Sequence, residues 1–309
     1  MVEKASGSTL RYTRSMSEHK ATAILYHGGC PDGFGGAYAA WKKFGHDAEY
    51  VPVKHGYPVP EHLDGKELYM IDFCYPEADM DALAKTAKSL TVLDHHEGVR
   101  SIATKFQGVF DVTRSGAVIA WEYFHAQTPT PTLLKYVQEG DLYRFGLPNT
   151  REILNYVYTL TDSFASFSKE NLKKWDTFIA ELENEGDRKR IIEIGTSFAQ
   201  FHEHVVVHAV HHAELVQFEG YECYLTSTSG EFKSDAGNRL AKLKPPIAII
   251  VSAHADGLGV SLRSDKSVDV AALAQKYGGN GHPAAAGFFI PYGEPIPWTT
   301  IQQNENPGH

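Results

Sequence analysis

Ala23-Ile24-Leu25-Tyr26-His27-Gly28-Gly29-Cys30-Pro31-Asp32-Gly33 is the stretch whose reading decides the fold. Ala23 to His27 is an apolar run of strand length, and Gly36-Ala37-Tyr38-Ala39-Ala40-Trp41 behind it reads as a helix. The same alternation continues downstream. Glu49-Tyr50-Val51-Pro52-Val53 and Leu68-Tyr69-Met70-Ile71-Asp72 read as strands, followed by a helix from about Pro76 to Lys88. Leu90-Thr91-Val92-Leu93 and Val109-Phe110-Asp111-Val112 are further strands, and Ser115 opens an apolar helix ending near His125. Strands alternating with helices imply an α/β fold with a largely parallel sheet covered on both faces. Such sheets bind ligands beyond the carboxyl ends of their strands. His27, Asp72 and Asp94 are each expected at such an end.

Residues 147–214 read as helical throughout, most clearly Leu172 to Glu183 and Asp187 to His212. A second α/β segment runs from about Leu215 to Pro291, with strands near 215–219, 221–226, 247–253 and 258–263 and helices near 233–242 and 269–276. The expected division is a disordered leader (1–20), an α/β domain (21–146), a helical connector (147–214), a smaller α/β domain (215–292) and a loose tail (293–309) rich in Pro, Gly and Asn. No internal repeat or low-complexity tract interrupts it.

The 309 residues suffice for two domains of common size, and 42% hydrophobic with 22% charged residues is ordinary for a folded soluble protein. No apolar run approaches the roughly 20 residues that span a bilayer, so no membrane partner is expected. The first 20 residues carry Arg11, Arg14 and Lys20 without an apolar core, which argues against a secretory signal and leaves a disordered or vector-derived leader ahead of an organelle-targeting one. Three cysteines, Cys30, Cys74 and Cys223, form no CxxC pair, which favours a reducing, cytoplasmic setting. A net charge of −9 weighs against a grip on long duplex nucleic acid, which needs a basic face, but leaves room for a short phosphorylated ligand. The oligomeric state is left open, with a homodimer allowed.

Four segments rich in Asp and His mark the first domain: His27-Gly28-Gly29-Cys30-Pro31-Asp32-Gly33, Ile71-Asp72-Phe73, Leu93-Asp94-His95-His96 and Glu139-Gly140-Asp141. Each follows an apolar strand or sits at an expected loop. Carboxylates and histidines converging there form a hard-to-borderline set suited to Mn²⁺, Mg²⁺ or Zn²⁺. Two metals about 3.5–4 Å apart can bridge a hydroxide and clamp a phosphoryl group. Taken singly, each aspartate is more often a turn or helix cap than a ligand.

In order and position these segments resemble motifs I to IV of the DHH phosphoesterase superfamily, whose name is spelled by Asp94-His95-His96. Val260-Ser261-Leu262-Arg263-Ser264, Gly278-Gly279-Asn280-Gly281-His282 and Ala284-Ala285-Ala286-Gly287-Phe288 resemble the DHHA1 domain and its GGGH signature. The resemblance covers about residues 21–145 and 215–290. It implies a DHH catalytic domain joined to a DHHA1 substrate-binding domain. It further implies that Asp72 bridges two metals, that Asp32, His95 and Asp141 complete one site and that His27 joins Asp72 at the other. His96 would face the phosphate or leaving group, and Asp94 would orient the histidine pair. Arg263 and Ser264 would hold a terminal phosphate, with Asn280, Gly281 and His282 closing over it.

The resemblance departs at one point: motif I usually reads Asp-x-Asp, and here it is Cys30-Pro31-Asp32. A thiolate ligand would shift that site from Mn²⁺ toward Zn²⁺ or Co²⁺. The other reading makes Cys30 a buried packing residue. Ser115 carries two readings as well, a phosphate contact through its helix start or an ordinary N-cap. His202, His204, His208, His211 and His212 read as a solvated helix face, against a metal shared by His204 and His208. Tyr143, Arg144 and Phe145 read as interdomain packing, against stacking on a base. The expected function is a metal-dependent phosphoesterase, with Mn²⁺ in two sites, acting on short oligoribonucleotides or small cyclic nucleotides. The alternatives are an adenosine bisphosphate phosphatase and a metal-depleted nucleotide-binding protein.

Overall fold

The computed structural model describes residues 20–160 and 164–301. The expected leader, apart from Lys20, and residues 302–309 of the expected tail lie outside the described residues.

The first unit is built from β1 (Thr22–His27), α1 (Pro31–Phe44), β2 (Ala48–Val53), β3 (Glu67–Ile71), α2 (Glu77–Thr86), β4 (Ser89–Asp94), α3 (Arg100–Ala103), β5 (Gln107–Phe110), α4 (Gly116–Phe124) and α5 (Thr132–Asp141). Its five strands lie in the order β2-β1-β3-β4-β5, and every neighbouring pair is parallel. The apolar run in β1 follows from this position. Ile24 and Tyr26 point into the core shared with α1 and α4, while Ala23 and Leu25 point into the core shared with α2. A strand buried on both faces has no polar side to alternate with.

Helix α1 packs on the sheet through small residues. A Cβ on Gly36 would stand 2.3 Å from Ile71 Cγ2, and one on Gly35 would stand 2.9 Å from Ala117 Cβ. This close approach brings α1, β3 and the start of α4 together beneath the strand ends.

Three helices follow: α6 (Thr150–Leu160), α7 (Lys169–Glu183) and α8 (Glu185–His211). Ser168 and Asn184 cap the last two by accepting bonds from backbone N–H groups of their first turns. The second unit comprises β6 (Glu214–Phe218), β7 (Tyr221–Ser227), α9 (Lys233–Leu243), β8 (Ile247–Ala253), β9 (Gly257–Ser264), α10 (Val270–Gln275), β10 (Asn280–His282), β11 (Ala285–Pro291) and β12 (Trp298–Thr300). Its seven-stranded sheet runs β10-β11-β9-β8-β7-β6-β12, with only the β7–β8 pair parallel.

Two differences from the sequence reading are physical. The segment ending at Asp141 is a helix, not a loop: Leu133, Leu134, Tyr136 and Val137 are buried at helical spacing. The tail is not loose throughout, since Trp298–Thr300 pairs antiparallel with Val216–Phe218 and Trp298 packs against the second core. Among the described residues no helix is long and apolar enough to cross a membrane.

Candidate metal centre and cleft

The carboxyl ends of β1, β3 and β4 deliver His27, Asp72 and Asp94 to one rim of the parallel sheet. Asp72 follows β3 in a left-handed conformation (φ 58°), and its N–H donates to Leu93 O at 2.9 Å. A non-glycine residue rarely adopts that backbone unless its surroundings over-determine it, and such residues cluster at functional sites. The turn aims the carboxylate back across the sheet end.

Asp72 is the hub of a dense ligand cluster and is 2% exposed. His27 Nδ1 lies 3.4 Å from Asp72 Oδ2, and the Cys30 thiol lies 3.4 Å from the same oxygen and 3.2 Å from His27 Nδ1. On the other side His95 Nε2 stands 3.2 Å from Asp72 Oδ1, 3.3 Å from Asp141 Oδ2 and 3.8 Å from Asp32 Oδ2. Three groups of donors result: His27, Cys30 and Asp72; Asp72, His95 and His96; and Asp32, His95 and Asp141. They share Asp72 and His95, so they adjoin one another.

Asp94 orients the histidine pair. Its Oδ1 accepts from the backbone N–H of His95 at 2.6 Å and of His96 at 2.9 Å, and meets His96 Nδ1 at 2.8 Å. The His96 ring stacks on His282 of β10, with centroids 4.9 Å apart and planes 19° apart. The glycine-rich segment thus closes against the metal-side histidines. Gly281 (φ 150°) runs so near residue 98 that a Cβ on Gly98 would lie 3.1 Å from Gly281 O. Asn280 is exposed, and its Oδ1 accepts from the Gly281 N–H.

Residues 225–297 match the DHHA1 domain family. The chain is similar in fold to the DHH domain of a protein described as a member of a family of ribosomal proteins, at 12% identity, a TM-score of 0.58, and coverage of 88% of this chain and 83% of that one. Residues 225–297 thus carry a DHHA1 domain, within a chain whose fold is similar to that of the DHH-domain structure. An uncharacterised protein of Acanthamoeba polyphaga mimivirus is 28% identical over 297 residues, covering 88% of this chain and 68% of the relative. A pGpG-specific phosphodiesterase from Vibrio cholerae superposes more loosely, at 16% identity and a TM-score of 0.44, covering 88% of this chain and 94% of that one.

The electrostatics of the rim follow from crowding. Burial, then the negative charges of Asp141 and Asp72, pushes the Asp32 carboxyl well above its usual range. Burial would raise Asp72 too, but its bonds to His27 and His95 and the charge of His96 hold it well below. Burial and the nearby carboxylates push the Cys30 thiol up, so without a cation it stays protonated. Closely packed buried carboxylates need a positive partner, and among the described residues it is histidines that pair with them. The oxygen, imidazole and sulfur donors fit divalent metal ions. The Asp32, His95 and Asp141 group suits a hard ion, while the group with Cys30 suits a softer one.

Cys30 combines features of both sequence readings. Its sulfur caps α1 by accepting from the Gly33 N–H at 3.2 Å, and the same atom sits among the donors around Asp72. Ser115 shows the N-cap of its two readings. It is fully buried, caps α4 through Val118 N, and the next two N–H groups, of Gly116 and Ala117, donate to Asp32 at 2.7 and 3.0 Å. That helix start already holds the carboxylate of Asp32. Ser264 is buried at the end of β9. Its hydroxyl donates to Val268 O and accepts from the Lys266 N–H, which shapes the turn after β9.

Arg263 lies on β9, 8% exposed, and donates to Leu262 O and to Ser234 Oγ, each at 2.9 Å. Lys233 is its neighbour, its ammonium disfavoured first by burial and then by the charge of Arg263. Among the described residues Arg263 has no carboxylate partner. Tyr158 of α6 is half exposed, and its hydroxyl feels charges from both units. Burial, then the charges of Cys30, Asp141, Glu231 and Asp235, pushes its hydroxyl up to about 12.

Lys233, Ser234 and Tyr158 escape sequence reasoning, and so does His55, whose ring lies 6.2 Å from that of His27. His55 sits in the segment after β2, where no periodicity marks it. The connector histidines divide. His202 pairs with Asp235 at 2.9 Å, and His208 packs on His212 with ring centroids 4.4 Å apart, rather than on His204.

Proposed function

We propose that this chain is a divalent-metal-dependent phosphoesterase acting on short oligoribonucleotides or small cyclic nucleotides. The observation that carries this reading is the three adjoining donor groups around Asp72 and His95, facing a second unit that holds a buried arginine with no carboxylate partner among the described residues. Bound metals would supply an activated water and offset charge on the phosphoryl group. Asp72 would be shared between them, with His27 and Cys30 on one side and Asp32, His95 and Asp141 on the other.

The remaining chemistry belongs to the chain's own side chains. Asp94 holds the His96 imidazole by Nδ1, which leaves its other edge free to meet a phosphate or leaving group. Arg263, beside Lys233, offers a fork of donors to a terminal phosphate. His282 and Gly281 close the cleft over the bound group. Mn²⁺ suits the all-oxygen-and-imidazole group, and Zn²⁺ or Co²⁺ suits the group with Cys30.

The test is hydrolysis of a panel: a 5′-phosphorylated diribonucleotide, a longer RNA, cyclic di-AMP, cyclic AMP, adenosine bisphosphate and pyrophosphate. Each is assayed with Mn²⁺, Mg²⁺, Co²⁺ and Zn²⁺, alongside Asp72→Ala. Metal-dependent cleavage of the diribonucleotide or a cyclic nucleotide, lost in the variant, supports the proposal. Cleavage of adenosine bisphosphate alone moves the substrate to a phosphomonoester. Nucleotide binding without turnover under every metal replaces the enzyme with a binding protein.

A further inference from the structure

Asp235, in the first turn of α9, is 8% exposed and receives three hydrogen bonds from outside the second sheet. Tyr143 Oη donates at 2.5 Å, Arg151 Nη1 donates at 3.0 Å and His202 Nε2 lies 2.9 Å away. These come from the turn after α5, from α6 and from α8. One buried carboxylate therefore joins the first unit and the helical segment to α9, whose Ser234 accepts a hydrogen bond from the anchor Arg263.

Both ends of this junction adjoin the cleft. Tyr143 is two residues beyond Asp141, in a tight turn where Tyr143 and Phe145 both have φ 52°. The turn is braced: the N–H groups of Arg144 and Phe145 donate to Glu139 O, and the Arg151 guanidinium lies 4.1 Å from the Phe145 ring centre. On the other side, Ser234 precedes Asp235 and accepts from Arg263 Nη2. Gly237 packs so closely that a Cβ there would lie 2.7 Å from Arg263 Cγ. A continuous route thus runs from Asp141 through Tyr143, Asp235 and Ser234 to Arg263.

We propose that Asp235 is a positioning residue that fixes the span between the metal centre and the Arg263 anchor, and so selects substrate length. The inference rests on the phosphoesterase reading above. Asp235 does not touch the reacting phosphate. A substrate whose scissile and terminal phosphates match the span engages both ends at once, and a longer or shorter chain must give up one of them. Misplacement by about 1 Å costs up to about a hundredfold in rate, so a braced junction discriminates where a hinged one would not.

The test compares wild type with Asp235→Asn, which keeps the volume of the side chain, and with the milder Tyr143→Phe. Values of kcat/KM are measured on 5′-phosphorylated oligoribonucleotides of two to six units, with bis(p-nitrophenyl) phosphate as a substrate lacking a terminal phosphate. The expected result is an unchanged rate on that reporter and a fall of about tenfold in the ratio between the preferred length and the others. An equal fall at every length, or an unchanged ratio, overturns the proposal. Hydrogen exchange at Tyr143–Gly146 and in the first turn of α9 gives a readout independent of turnover. Exchange no faster in Asp235→Asn than in wild type overturns the clamp. A wild type inactive on every phosphate ester, with exchange accelerated in the variant, instead removes the phosphoesterase reading and leaves the clamp standing.

Discussion

Asp72 is the residue on which the candidate centre depends, because two donor groups meet at its carboxylate. Asp72→Ala should lower metal-dependent turnover by about a thousandfold or more. Isothermal titration with Mn²⁺ should show fewer bound equivalents, whereas loss of activity with full metal stoichiometry would contradict the shared role. Cys30 sets the character of one side. Cys30→Asp puts a hard oxygen in place of the sulfur and should raise the ratio of Mn²⁺- to Zn²⁺-supported activity by about tenfold. A fall in that ratio would show that the sulfur serves only as the cap of α1.

At the scale of elements, the rim depends on how closely α1 lies on β3. Gly36 makes that approach, with Ile71 against it and Asp72 next in the chain. Gly36→Ala should destabilise the protein by about 1–3 kcal/mol through overpacking, measured as a lower urea midpoint. An unchanged midpoint would mean that Ile71 yields without cost. The strands and helices of the first unit were legible in sequence, since apolar runs and helical spacing are local signals. Helix α5 was not. It is ten residues long, carries Gly140 in its last turn, and is stabilised by packing among buried side chains rather than by a polar face. Strand β12 was hidden among Pro, Gly and Asn, and exists because the edge of β6 pairs with it.

At the scale of the molecule, the His96–His282 stack and the Asp235 junction are two contacts of different character that join the second unit to the rest. His282→Ala should leave metal affinity unchanged and raise KM by about three- to tenfold, the range of one lost ring contact. The Asp235 junction gives a pH signature. Burial alone would raise this carboxyl, but His202, Tyr143 and Arg151 outweigh it and hold it well below the usual carboxylate range. A depressed folded pKa contributes stability above the unfolded value of about 3.9, and that stability is lost as pH falls below it. Denaturant midpoints should therefore drop more steeply between about pH 4 and pH 2 in wild type than in Asp235→Asn. Parallel curves would show that the carboxylate carries no such linkage.

By itself the sequence determined the alternating α/β architecture, the order of the Asp- and His-bearing segments and the glycine-rich signature near the end. Each is written in neighbouring residues, as apolar period, strand-end position or short motif. Tertiary structure alone decided which groups meet. It turned Asp72 back across the sheet, spent the start of α4 on Asp32, and drew Ser264 into a turn. It also gathered Tyr143, Arg151 and His202 onto Asp235. Such convergence depends on the packing of elements far apart in the chain, and packing leaves no period for a sequence to display.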